Sequence, residues 1–172
     1  MKQAKKIIAL IIIFVLTAVL LTACGDESKK YYIGDTQTYK GLKIAVNSVS
    51  ESDYYPSSLG NVKADEDKVF ITVELTVENN SKSAVDFNSS NFYLIDKNKV
   101  EEKSVNYILD NTLLGSEIKV YETVTGIVRF YVSKTFYANQ PLVFKYSFTD
   151  FDAGFLWEDI DLMWILSEKP SA

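Results

Sequence analysis

The sequence predicts an all-β protein whose strands form a single antiparallel β-sandwich. Apolar and polar residues alternate in several short stretches, and a period of two is typical of half-buried strands rather than helices. Polar segments rich in Asn, Asp, Ser and Lys separate these stretches, as turns do. Many short alternating strands joined by turns indicate an antiparallel sandwich.

The longest predicted strand runs from Val69 to Glu78, and its β-branched content agrees with that structure. The alternation predicts one buried face and one polar face. The residues of the buried face are Val69, Ile71, Val73, Leu75 and Val77, and those of the other face are Phe70, Thr72, Glu74, Thr76 and Glu78. The polar segment 79–83 then ends the strand as a turn.

The remaining strands are predicted from the same alternation. They are a short strand at residues 42–46, a strand at 92–96 with a turn at 97–99 and a return over 100–109, a continuous strand at 119–132, a strand at 142–148 and a closing strand at 159–166.

The N-terminal segment has the features of a secretory signal peptide. Three lysines and no acid occur in the first six residues, and the uncharged run Ile7 to Leu20 follows. Leu21 to Cys24 then resembles the bacterial lipobox, which implies that a diacylglyceryl group joins the Cys24 thiol and that cleavage occurs between Ala23 and Cys24. The alternative is a retained transmembrane anchor, but a span needs about 20 apolar residues and this run is shorter unless residues 21–23 are included.

Lipidation would explain why the chain has one cysteine. The thioether leaves no free thiol and no internal disulfide, and two acyl chains, such as palmitate chains, are enough for stable membrane anchoring. We therefore expect a cleaved signal peptide (1–23), a lipidated cysteine with a polar tether (24–30), the sandwich (31–166) and a tail (167–172). The predicted location is the extracytoplasmic face of the cell membrane. The excess of lysine over arginine suggests a Gram-positive bacterium.

The charge of the predicted mature chain argues against a nucleic-acid partner. Without its first 23 residues the chain has 15 basic and 23 acidic residues, a net charge of −8. Such a surface repels polyanions.

Four segments occur in an order that resembles a known family. They are residues 41–49 (GLKIAVNSV), 69–81 (VFITVELTVENNS), 92–98 (FYLIDKN) and 126–132 (GIVRFYV). Together they resemble the immunoglobulin-like domain of unknown function found in many Gram-positive lipoproteins, which is related to a secreted immunoprotective antigen of mycobacteria. The resemblance covers most of residues 33–149. It implies an immunoglobulin-like sandwich at the cell surface and supplies no catalytic residues.

The composition excludes several kinds of enzyme. The chain contains no histidine, which excludes Ser-His-Asp and Cys-His catalysis and histidine-based metal sites. Residues 116–119 match the Ser-x-x-Lys motif of penicillin-interacting enzymes, and residues 104–106 resemble their Ser-x-Asn motif. However, the predicted strand would direct Ser116 and Lys119 to opposite faces. We therefore expect a non-enzyme without a cofactor, with a carboxylate-dependent or calcium-dependent envelope enzyme or enzyme accessory as the alternative.

Acidic residues are concentrated at residues 150–161. Five carboxylates surround Gly154 there, and hard oxygen ligands suit calcium. The spacing departs from the EF-hand loop, in which glycine is sixth and glutamate twelfth. A solvated acidic surface is the alternative, and no metal site is predicted.

Tyr54 and Tyr55 lie in a polar connection between Val49 and Val69. Tyrosines next to serines on loops form good contact surfaces, so we expect a binding loop at this pair. The alternative is that both rings cover an edge of the sandwich. The sequence thus predicts a non-catalytic interaction module whose partner is an envelope protein or a wall polymer.

Overall fold

The computed structural model describes residues 29–57, 60–88, 91–105, 116–150 and 158–168. These residues form twelve strands and one short helix. The strands are β1 (Thr36–Tyr39), β2 (Leu42–Ser52), β3 (Tyr54–Ser57), β4 (Gly60–Lys63), β5 (Lys68–Asn79), β6 (Val85–Phe87), β7 (Phe92–Ile95), β8 (Glu101–Lys103), β9 (Ser116–Ile118), β10 (Thr123–Ser133), β11 (Val143–Asp150) and β12 (Glu158–Ile165), and the helix is α1 (Lys134–Ala138). In the described part of the chain, no helix is both long enough and apolar enough to cross a membrane.

Two four-stranded sheets form the body of the protein. Sheet I has the strand order β1-β2-β5-β10, and sheet II has the order β12-β11-β7-β8. The neighbouring strands in both sheets are antiparallel. One apolar core joins the inner faces of the two sheets, with Phe130 of sheet I against Phe144 of sheet II. The predicted all-β antiparallel sandwich is therefore confirmed.

Strand β5 agrees with its prediction on the inner face and departs from it on the outer face. All five inward side chains are fully buried. On the outer face, Phe70 is also buried, because the β3–β4 hairpin packs on it. The outer face of sheet I is therefore partly covered by the chain itself.

Strand β2 is longer than predicted because it contains a β-bulge. Its register against β5 shifts between Val46 and Ser48, so Asn47 is an extra residue. Beyond the bulge Val49 pairs with Val73, and the positions that face inward change from even to odd numbers. The alternation in the sequence is interrupted at the bulge, which is why the prediction ended at residue 46.

The strand predicted at 119–132 is present as β10, but its first four residues belong to a turn. Strand β9 ends at Ile118, and β10 begins at Thr123. The residues between them form a turn in which Tyr121 has a φ of 65° and the Glu122 carboxylate accepts a hydrogen bond from the Lys119 amide. Ser116 and Lys119 share no helix, so the Ser-x-x-Lys geometry is not formed.

The predicted hairpin at residues 92–103 and the predicted closing strand are present as β7–β8 and β12. The Asp96 carboxylate closes the hairpin turn by accepting hydrogen bonds from the Asn98 and Val100 amides. Residues 106–109 of the predicted return strand lie outside the described residues.

Candidate functional site

A cavity of about 930 Å³ lies beside β11, between the β1–β2 turn, the 81–84 loop and β6. We call it the β11 cavity. The side chains around it combine aromatic rings, hydroxyl groups and charges of both signs. They include Tyr39, Lys82, Ser83, Asp86, Tyr146 and Phe148. Its volume is within the range of about 300–1,000 Å³ that is typical of small-ligand sites.

Stacked aromatic rings form the inner wall of the β11 cavity. The alternation of β11 directs Tyr146 and Phe148 to the same face, and their ring centroids are 5.1 Å apart. Tyr146 also stacks on Phe87 of β6 at 5.0 Å, while Tyr39 of β1 meets Phe148 edge-on at 5.5 Å. Tyr39 and Phe148 are half-buried, so part of their ring surface remains accessible.

The hydroxyl of Tyr146 is the most informative group in the β11 cavity. Its residue is only 1% exposed, and the hydroxyl makes no hydrogen bond to any described residue. No polar side-chain atom in the described ranges is fully buried without a partner, so this oxygen must keep some exposure. Tyr146 is one of the residues that line the β11 cavity. Burial raises the pKa of Tyr146 well above its usual value of 10.0, and the nearby Asp86 carboxylate raises it further. The hydroxyl is therefore a neutral donor.

Residues 79–81, the Asn-Asn-Ser segment, shape the polar wall of the β11 cavity. Asn79 is fully buried, and its Nδ2 atom donates to the carbonyl oxygens of Ser83 and Ile118, both at 2.9 Å. Its Oδ1 atom accepts from the Ser81 amide at 3.0 Å and from the Ser81 hydroxyl at 2.6 Å. One side chain thus fixes the loop that carries Ser81, Lys82 and Ser83 into the cavity wall.

The β1–β2 turn forms the wall next to this loop and depends on glycine. Lys40 and Gly41 have φ angles of 44° and 92°, as expected for a two-residue hairpin turn of type I′. The Gly41 carbonyl accepts from the Asn80 amide at 2.9 Å. A Cβ atom at Gly41 would lie 2.5 Å from the Asn80 carbonyl oxygen. Glycine therefore permits both the turn and its close approach to the loop.

The structure separates the two tyrosines that the sequence grouped as a binding loop. Tyr54 is 52% exposed, but Tyr55 is buried at 2% against Phe70, with the Arg129 guanidinium 4.3 Å from the centre of its ring. The expectation of two exposed rings is therefore wrong for Tyr55. The physical reason is that β3 is a strand, in which adjacent side chains point to opposite faces. A binding role for Tyr54 stays a prediction.

The other predicted sites lie largely outside the described residues. Ala23 and Cys24 do so entirely, and residues 151–157 of the acidic segment do so as well. Asp159 and Asp161 are exposed on β12, where Asp159 accepts a hydrogen bond from Thr149 at 2.8 Å. Among the described residues no group of three or more Asp, Glu, Cys or His side chains could hold a metal ion.

The fold and the β11 cavity together define a two-sheet β-sandwich with a site of ligand size. The chain belongs to the family described as domain of unknown function (DUF4352), which matches residues 31–152. The predicted relationship to a family of unknown function is thereby confirmed.

Related proteins are found in several bacteria. The protein YxkC of Bacillus subtilis (strain 168) is 28% identical over 133 residues, which are 72% of this chain and 74% of that protein. The crystal structure of the yjhA protein from Bacillus subtilis has a TM-score of 0.60 at 23% identity and covers 80% of this chain and 99% of its own. MPT63, a secreted protein of Mycobacterium tuberculosis, has a TM-score of 0.50 at 15% identity, with 82% and 99% covered. The two structures show a common fold.

Proposed function

We propose that the protein is a lipid-anchored lipoprotein of the cell envelope, and that its sandwich is a non-catalytic binding module on the extracytoplasmic side. The observation that carries the binding role is the β11 cavity, which Tyr146 lines and whose wall combines aromatic rings with polar side chains. A tyrosine hydroxyl that makes no hydrogen bond within the described residues can donate one to a ligand.

The anchor rests on the N-terminal sequence. The basic start, the apolar run and the lipobox-like tetrapeptide occur in the order that lipoprotein processing requires. MPT63, which has a similar fold, is a secreted protein, so such a sandwich is compatible with a place outside the cytoplasm. The expected arrangement is a sandwich held near the membrane by acyl chains on Cys24 and a short polar tether.

The chemistry of the β11 cavity favours binding over catalysis. Tyr146 stays protonated at neutral pH because its pKa is raised, so it donates a hydrogen bond and does not act as a base or nucleophile. Among the described residues, Asp86 is the carboxylate that lines the cavity, and paired acid–base catalysis of the glycosidase type requires two. Aromatic rings with a few placed polar groups are typical of recognition sites.

The anchor is tested by metabolic labelling with radioactive palmitate. The wild-type chain should incorporate label and be shortened, whereas Cys24→Ala should remain unlabelled at precursor length. Ser28→Ala is the matched control, because it changes the tether and leaves the tetrapeptide intact. Label that persists in the Cys24 variant would contradict lipidation at this residue.

The binding role is tested with the full chain, purified from membranes in detergent and immobilised. Wall polymer and envelope protein fractions are passed over wild type, Tyr146→Phe and Tyr93→Phe. Tyr93 is on β7 but faces away from the core, so its variant loses a hydroxyl elsewhere. We expect capture by wild type and Tyr93→Phe, and reduced capture by Tyr146→Phe. Equal capture by all three would contradict a role for the cavity.

A further inference from the structure

We infer that the β11 cavity binds a neutral oligosaccharide, with one sugar hydroxyl between the Tyr146 hydroxyl and the Asp86 carboxylate and an apolar sugar face against Phe148. This inference rests on the proposed binding function and names its ligand class. It follows from three features of the cavity: a donor and an acceptor in its wall, accessible aromatic surface, and size.

The first feature is the pairing of a donor with an acceptor. The Tyr146 hydroxyl lacks a partner among the described residues and can donate, while the exposed Asp86 carboxylate in the same wall can only accept. Both residues line the β11 cavity, and β6, which carries Asp86, packs on β11 through the stacked rings of Phe87 and Tyr146. An alcohol is the simplest group that can accept a hydrogen bond from Tyr146 and donate one to Asp86 through a single oxygen atom. An anionic group could not donate a hydrogen bond to the Asp86 carboxylate.

The second feature is the accessible aromatic surface. Phe148 is half-buried in the cavity wall, and Tyr39 meets it edge-on, so the two rings fix each other's positions. Sugar rings carry apolar C–H faces between their hydroxyl groups, and such faces pack on aromatic rings. An apolar surface beside hydroxyl-binding groups therefore matches the two-sided chemistry of a sugar.

The third feature is the size and the polar wall. A volume of about 930 Å³ accommodates a disaccharide or a trisaccharide. Ser83 adds a hydroxyl group to the lining, and Lys82 adds a donor at an exposed position. A peptide strand would instead be recognised by backbone pairing along a sheet edge, with side chains in separate pockets. The concentration of side-chain hydroxyls around one cavity favours the sugar.

The test is isothermal titration calorimetry of the detergent-solubilised full chain with neutral disaccharides of glucose and of N-acetylglucosamine. A disaccharide bearing a carboxylate and a short neutral peptide are titrated in parallel. Tyr146→Phe keeps the stacked ring and removes only the hydroxyl, and Asp86→Ala removes the acceptor from an exposed position. Tyr93→Phe is the matched control on the opposite face of sheet II.

We expect a neutral disaccharide to bind wild type and Tyr93→Phe equally, and both cavity variants to bind about tenfold more weakly, the loss of one hydrogen bond. Thermal unfolding by circular dichroism verifies that each variant is folded. If Tyr146→Phe does not fold, Asp86→Ala decides alone.

Several results would overturn the inference in distinguishable ways. Sugar binding that is unchanged in both cavity variants would place the sugar elsewhere on the protein. Preferred binding of the carboxylated sugar or the peptide would refute a neutral sugar ligand. If the cavity variants also weaken that binding, the proposed binding function would still stand. If no sugar binds while Tyr146→Phe still loses capture of an envelope fraction, the sugar ligand would again be refuted and the proposed binding function would stand. Absence of both effects would refute the proposed function as well.

Discussion

Replacement of Asn79 by alanine should destabilise the protein more than any change at a neighbouring polar residue of the same segment. Asn79 is fully buried and satisfies two carbonyl oxygens, one amide and one hydroxyl. In Asn79→Ala the Ile118 carbonyl would lose this partner in a buried position, at a cost of about 1–3 kcal/mol. The Ser81 and Ser83 groups are closer to solvent, so water can replace part of what they lose.

Summing these contributions gives an expected loss of about 3–5 kcal/mol in the free energy of unfolding. That loss is a large part of the roughly 5–15 kcal/mol that stabilises a domain. The assay is urea denaturation followed by far-ultraviolet circular dichroism. Asn80→Ala is the matched control, because Asn80 is exposed and its side-chain Nδ2 donates to the carboxylate of the half-buried Glu78. It should cost less than about 1 kcal/mol.

Equal losses in the two variants would refute this reasoning, because the difference depends entirely on the buried contacts of Asn79. The same variant also tests the origin of the cavity wall. If Asn79 fixes the 81–84 loop, amide hydrogen exchange in this loop should accelerate in Asn79→Ala well before global unfolding.

Three further predictions concern the core, the β3–β4 hairpin and acid stability. Val73→Asp places a charge in the fully buried inner face of β5 and should abolish cooperative unfolding. Glu74→Lys, on the other face, should cost under about 1 kcal/mol of stability. Similar melting temperatures in the two variants would contradict the assignment of the two faces. Tyr55→Ser should lower stability by about 2–4 kcal/mol in urea denaturation and Tyr54→Ser by less than about 1 kcal/mol, and the reverse order would show that the hairpin packs differently. Burial alone would raise the pKa of Asp96, but hydrogen bonds from Val100, Asn139 and Asn98 outweigh it and lower this pKa below 3.8. The ionised Asp96 carboxylate therefore stabilises the fold at pH values above the unfolded pKa, and this stabilisation is lost as the pH falls through the folded pKa. The melting temperature of Asp96→Asn should consequently fall less with acidification than that of wild type.

Strands with an uninterrupted alternation could be predicted from the sequence, and β5 and β11 show why. Each is an inner strand of its sheet, so both edges pair with neighbours and one face meets the core along most of its length. Under those conditions burial alone determines which side chains face inward, and the sequence shows it as a period of two. The inner face of β5 agreed with the prediction at every residue for this reason.

Features that depend on distant parts of the chain could not be predicted. The bulge at Asn47 changes which residues of β2 face inward, and the sequence shows only that the alternation stops there, not that the strand continues with the other parity. Tyr55 is buried because the β3–β4 hairpin packs on β5, a contact that the alternation within residues 50–68 does not encode. The sequence showed a polar connection with two tyrosines, and tertiary packing decided which one is covered.

The cavity residues illustrate the same limit at the candidate site. Tyr146 lies in the strand predicted at 142–148, but no local pattern indicates that it lines a cavity. Asp86 is 60 positions away along the chain and reaches the same cavity only because β6 packs beside β11. The Asn-Asn-Ser segment was the available signal, since it ends β5 and carries the loop of the cavity wall.

Along β11, the side chains of the inner face belong first to the core and then to the candidate site. Phe144 is fully buried against Trp164 and Phe130, Tyr146 is buried except at its hydroxyl, and Phe148 is half-buried in the cavity wall. The rings that stabilise the sandwich therefore also hold the ligand-facing groups in fixed positions, at no further entropic cost on binding. For this reason removal of a whole ring from the row should reduce stability and binding together, while removal of the Tyr146 hydroxyl alone should affect binding and leave the packing intact. The Tyr146→Phe variant is thus the change that separates the site from the core that supports it.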